Sequence, residues 1–115
     1  MKRLEVIPSK RVREEFRLTY ELKGAQKAVD FLAKYYGIRR MKIVLDGRRV
    51  GNSDEACYVY ETRTAYFKRK GLDRSNVLHE FYHHIANVKG WVTSERREER
   101  EASEYAKRIS KVFKK

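Results

Sequence analysis

Hydrophobic patterning along the chain begins at Phe16, Leu18, Tyr20 and Leu22, which alternate with Glu15, Arg17, Thr19 and Glu21. A period of two over this run predicts a half-buried strand, broken at Gly24. The period then changes. Ala25, Ala28, Val29, Leu32 and Tyr36 recur at helical spacing, and Gly37 is a fitting residue just past a helix end, so a helix is expected over about 25–36. Met41, Ile43 and Leu45 alternate again and predict a strand over about 40–45. Asp46-Gly47 reads as a tight turn, after which Arg48 to Val50 is expected to pair back. Ala56 to Tyr60 and Thr64 to Lys68 read as two further strands joined by a short turn, with Tyr58, Tyr60, Tyr66 and Phe67 suited to a pleated surface. The residues before this patterned region are basic, and Leu4, Val6 and Pro8 fit a short strand or a tail.

The last third of the chain is helical. Asp73 or Ser75 is a candidate cap for a helix over about 75–88, whose apolar side chains are Leu78, Phe81, Tyr82, Ile85 and Val88. Gly90 ends it. Thr93 or Ser94 caps a final helix that meets no breaker almost to the end of the chain. A strand, a helix, several strands and two helices describe one α+β domain over 1–115: a small mixed sheet of three to five strands backed by the helix at 25–36.

The first of the two late helices carries His79-Glu80-Phe81-Tyr82-His83. Positions i and i+4 share a helix face, so His79 and His83 can offer two imidazoles to one zinc ion. Glu80 sits about 100° further round, where it can take a proton from water. His84 points away by the same angle and is expected to be an ordinary polar side chain. A catalytic zinc needs a third protein ligand, and the final helix offers carboxylates. Its apolar stripe through Ala102, Ala106, Ile109 and Phe113 extends back through Glu99 and Glu95. Glu98, Ala102, Tyr105 and Ile109 form an equally legal stripe, so the residues alone leave Glu98 and Glu99 open. The bland reading of Glu95, Glu98, Glu99, Glu101 and Glu104 is a salt-bridged face shared with Arg96, Arg97, Arg100 and Arg108.

Glu99-Arg100-Glu101-Ala102-Ser103-Glu104-Tyr105-Ala106 resembles the Glu-x-x-Ala-Asp-x-Phe-Ala segment of the gluzincin metallopeptidases. Within that clan the chain is similar to the catalytic domains of the membrane CAAX-prenyl endopeptidases and heat-shock metalloproteases. Among short chains it resembles the minigluzincins. The match covers about 75–106. It implies a minimal zincin-like domain in which His79, His83 and Glu99 bind Zn2+ and Glu80 is the general base of peptide hydrolysis. An edge strand above the cleft would hold a peptide or protein substrate, and Tyr60, Tyr66, Tyr105 and His84 are candidates to stabilise the oxyanion. Ser103 stands where the family has an Asp that orients a zinc-bound His. No third His or Met-turn follows, which argues against a metzincin. The resemblance also implies latency: a C-terminal segment over 108–115 would cover the cleft, within one chain or by self-association of two.

Composition adds to this picture. Charged residues are 38% of the chain, with a single Gln and three Asn, the balance of a heat-adapted protein. A net charge of +12 makes nucleic acid the first alternative partner, yet the basic residues do not gather in one arm and no nucleic-acid motif occurs. That alternative is a non-enzymatic basic domain whose zinc is structural or absent. Cys57 is the sole cysteine, so no internal disulfide forms, and a small buried strand residue is its expected role. No apolar run reaches the roughly 18–20 residues of a membrane span and the N-terminus lacks a signal-like stretch, so a soluble cytoplasmic protein is expected.

Overall fold

A computed structural model describes residues 6–91 and 93–111. Helix α1 (Lys10–Lys23) begins at Ser9, whose hydroxyl accepts from Val12 N. Helix α2 (Ala25–Tyr36) follows after Gly24 alone. Strands β1 (Lys42–Leu45), β2 (Ala56–Val59) and β3 (Thr64–Phe67) form one sheet in the order β1-β3-β2. Helices α3 (Arg74–Lys89) and α4 (Glu95–Ser110) complete the described chain. The domain is α+β, with a mixed sheet: β1 runs parallel to β3, and β2 runs antiparallel to it. Among the described residues no helix is long and apolar enough to cross a membrane.

The strand expected at Phe16 to Leu22 is instead the second half of α1. Phe16 is fully buried, Val12 and Tyr20 pack beside it, and Leu18 and Leu22 are exposed. The inward stripe is thus Val12-Phe16-Tyr20, at steps of four, and the alternation arose from two leucines facing water. Ion pairs from Arg17 to Glu14 and Glu21 tie successive turns, a form of support that only a helix provides.

The expected turn at Asp46-Gly47 also differs. The Asp46 side chain accepts from Arg48 N and caps a 3₁₀ turn at Gly47–Arg49. The positive-φ glycines among the described residues are Gly24, Gly37 and Gly90, so Gly47 does not adopt the conformation that a two-residue hairpin needs. The chain therefore moves on to β2, and β1 finds its partner in β3. Gln26, the only glutamine, fastens α2 to β1 by donating to Met41 O at 2.9 Å and accepting from Ile43 N at 2.8 Å.

Helices α3 and α4 pack against each other, and α3 also packs against β2. Leu78, Phe81, Tyr82 and Ile85 are fully buried on α3, as are Ala102, Tyr105 and Ile109 on α4. Between them the chain reverses at Gly90, in the left-handed conformation, where Gly90 N bonds Asn87 O and Trp91 N bonds Ala86 O. These two bonds satisfy the last carbonyls of α3. Asp73 caps α3 and Ser94 caps α4, each resolving a choice left open between two residues. Arg97–Glu101 and Arg108–Glu104 show part of α4 to be the expected salt-bridged face. Ile109 near the end of α4 is a core residue, whereas Leu4 and the stretch 112–115, with Phe113, lie outside the described residues.

Candidate metal centre

The inner face of α3 and the first turns of α4 meet below β2. His79 and His83 lie one turn apart, with ring centroids 5.1 Å from each other. Glu99 spans both: its Oε1 is 2.9 Å from His79 Nε2 and its Oε2 is 3.0 Å from His83 Nε2. The donor atoms of His79, His83 and Glu99 all lie within 4.8 Å of one another, a group that can hold a metal ion. Of the two stripes left open by the sequence, the one through Glu98 faces inward. Glu98 has the buried position, with its side chain 12% exposed, and Glu99 is 55% exposed on the cleft side.

Glu98 is occupied elsewhere. Its Oε2 lies 2.6 Å from His83 Nδ1 and accepts from the Tyr60 hydroxyl at 2.5 Å. The Ser103 hydroxyl is 3.4 Å from His79 Nδ1, a long contact at the position where the resembling family carries Asp. Both imidazoles therefore turn Nδ1 towards the protein and Nε2 towards Glu99.

Proton counting tests whether a cation fits here. A neutral imidazole has one N–H, and a carboxylate only accepts. His83 faces Glu98 at Nδ1 and Glu99 at Nε2, so it satisfies both carboxylates only as imidazolium. A metal ion held by His83 and Glu99 would remove that demand and leave the Nδ1 proton for Glu98. Burial, with the neighbouring His83, holds the His79 pKa below its usual value against the opposing pull of Glu99, which favours the neutral ligand form.

Glu80 lines the same cleft at 8% exposure and has no hydrogen-bond partner among the described residues. Burial, opposed by His83 and reinforced by Glu99 and Asp54, pushes its carboxyl from the usual 4.5 to about 7. A carboxyl poised there can both accept and donate a proton near neutrality.

Four residues were candidates to stabilise an oxyanion. Tyr105 is fully buried and bonded to the Tyr36 hydroxyl, and Tyr66 lies under the Arg49 guanidinium. His84 is fully buried; its Nε2 donates to Arg39 O at 2.6 Å and its Nδ1 accepts from the Tyr58 hydroxyl at 2.7 Å. Only Tyr60 of the four lines the cleft, and its hydroxyl is engaged with Glu98. Burial and Glu98 both hold its proton in place far above the usual phenol range. His84 and Asn87, which donates to Tyr58 Oη and Tyr60 O, fix the height of β2 over α3. Cys57 lies in β2, half-buried, with Sγ donating to Arg49 O.

The cleft has a volume of about 870 Å³. One edge of β2 pairs with β3, and among the described residues the other edge has no partner strand. The sequence missed the role of Glu98 as the partner of His83 Nδ1. Its adjacency to Glu99 was visible, but which nitrogen each acid would meet depends on the rotation of α4 against α3. Comparison with known proteins adds no relative: no family model, no curated protein and no solved structure matches the chain.

Proposed function

We propose that this chain is a zinc-dependent endopeptidase of the minigluzincin kind. The observation that carries the reading is one carboxylate, Glu99, reaching the Nε2 atoms of both His79 and His83 beside a buried, unpartnered Glu80. Two imidazoles and one carboxylate form a zinc donor set with room for a further ligand, and zinc held there would act as a Lewis acid towards water and a scissile carbonyl. Glu80 accepts a proton from the attacking water and returns it to the leaving amine. Glu98 and Ser103 hold the two imidazoles by their Nδ1 atoms, and the open edge of β2 offers backbone groups to an extended substrate.

Latency belongs to this proposal. Arg108 to Ser110 finish α4, and Ile109 is in the core, so the cover would come from the residues that follow. A chain ending at Lys111 keeps Ile109 and tests the cover: a rise in peptide hydrolysis supports it, and an unchanged rate rejects it.

The rival reading, a nucleic-acid-binding domain, is supported by the net charge of +12. Metal analysis separates the two. Near one zinc per chain, lost in His79→Ala, supports the peptidase. A chain without zinc that binds DNA with a steep salt dependence supports the rival.

A further inference from the structure

The charge of the cleft is opposite to that of the chain. The sequence has 28 Lys and Arg against 16 Asp and Glu. Yet Asp54, Glu55, Glu80, Glu95, Glu98 and Glu99 line the cleft, and no Lys or Arg does. Four of these acids have roles or partners already. Glu99 and Glu80 belong to the metal centre, Glu98 holds His83, and Glu55 accepts from the Asn76 amide at 3.3 Å. Asp54 and Glu95 remain. Neither has an ion-pair or hydrogen-bond partner for its carboxylate among the described residues, in a chain where cations outnumber acids.

They sit on different walls. Asp54 precedes β2, and Glu95 opens α4. Glu80, buried and without a hydrogen-bond partner among the described residues, lines the same concavity and points to a ligand there. Among the described residues only His79, His83 and Glu99 form a metal-holding group, so the outer acids do not make a second ion site. A divalent ion at the centre would offset two negative charges, and the remaining acids would still leave the lining net acidic.

We propose that the cleft selects peptides with lysine or arginine beside the scissile bond, and that Asp54 and Glu95 read that charge. The inference rests on the peptidase reading above. Low-dielectric walls of one sign focus their field into a cleft, while the cationic remainder of the surface repels a basic peptide everywhere else. The same arrangement that attracts the substrate into the groove thus keeps it from lodging elsewhere. Two partly solvated charge pairs of ordinary strength together amount to about tenfold in affinity.

The test uses Glu80→Gln, loaded with zinc, both as the full chain and as the chain ending at Lys111, with three fluorescent peptides that differ only in carrying Lys, Gln or Glu on both sides of the central bond. Binding is read by anisotropy at low salt. The Lys peptide should bind about tenfold tighter than the Gln peptide. In the Asp54→Asn, Glu95→Gln double variant of the same protein, that ratio should fall below about threefold. Equal binding of the Lys and Gln peptides overturns the proposal. So do a preference that survives in the double variant, tightest binding of the Glu peptide, and failure of all three to bind the chain ending at Lys111. Zinc content of the same samples is measured separately, so failure of the metal centre is told apart from failure of charge selection.

Discussion

Glu98 Oε2 lies 2.6 Å from His83 Nδ1, on the side of the ring opposite Nε2. The adjacent residue, Glu99, meets Nε2 at 3.0 Å. Two consecutive acids of α4 thus grip one imidazole from both sides, one as a holder and the other as a ligand of the proposed zinc. The holder is the more buried of the two.

This arrangement predicts the effect of removing the holder. Glu98→Ala should weaken zinc binding by about 10–100-fold, because His83 loses the group that fixes its tautomer and ring orientation. Glu98→Gln retains an acceptor oxygen without the charge and should fall between wild type and Glu98→Ala. Competition with a chromophoric chelator measures both. Wild-type affinity in Glu98→Ala would show that Glu98 does not hold His83, whose Nδ1 also lies 3.2 Å from the Tyr60 hydroxyl.

Glu80 predicts a pH dependence in protein stripped of metal with a chelator. Its folded pKa lies above that of an exposed glutamate, at about 7 against 4.5. The fold therefore favours the neutral carboxyl. That contribution is complete below the unfolded value and is lost as pH rises through the folded one. Glu80→Gln, neutral at every pH, should gain on wild type by up to about 3 kcal/mol between pH 4.5 and 8. Urea denaturation at both ends of this window checks it. A difference that stays constant with pH would mean that Glu80 is not held in a desolvating site.

Tyr58 and His84 predict a separate effect on stability. The Tyr58 hydroxyl donates to the buried His84 Nδ1 at 2.7 Å. Tyr58→Phe leaves that nitrogen without a partner and should cost about 1–3 kcal/mol. Zinc stoichiometry should stay at one per chain, because His84 faces away from the metal centre. Loss of zinc in this variant would place the height of β2 within the metal site itself.

Much of the domain was readable from residue spacing. The helix at Ala25–Tyr36, both late helices and the run of three strands follow from periodicity and from Gly37 and Gly90, with each late N-cap narrowed to two residues. The first element was not readable, because Leu18 and Leu22 are apolar side chains on the wet face of a helix and imitate alternation. The β1–β3 pairing was not readable either, since a parallel partner beyond an intervening strand leaves no local mark. At the site, the spacing of His79 and His83 on one helix puts both imidazoles on one face. The division of labour between Glu98 and Glu99 had to come from packing: Ala102, Tyr105, Ala106 and Ile109 are all buried, so the buried stripe of α4 is broad enough to admit either acid.

The most direct test of the central claim is peptide hydrolysis by zinc-loaded wild type and Glu80→Gln side by side, each as the full chain and as the chain ending at Lys111. The account predicts that all four proteins hold one zinc and that cleavage occurs only where Glu80 is present, with a rate at least about 10²-fold above that of Glu80→Gln. Cleavage by Glu80→Gln at the wild-type rate, or no cleavage by either wild-type form with zinc bound, would contradict it.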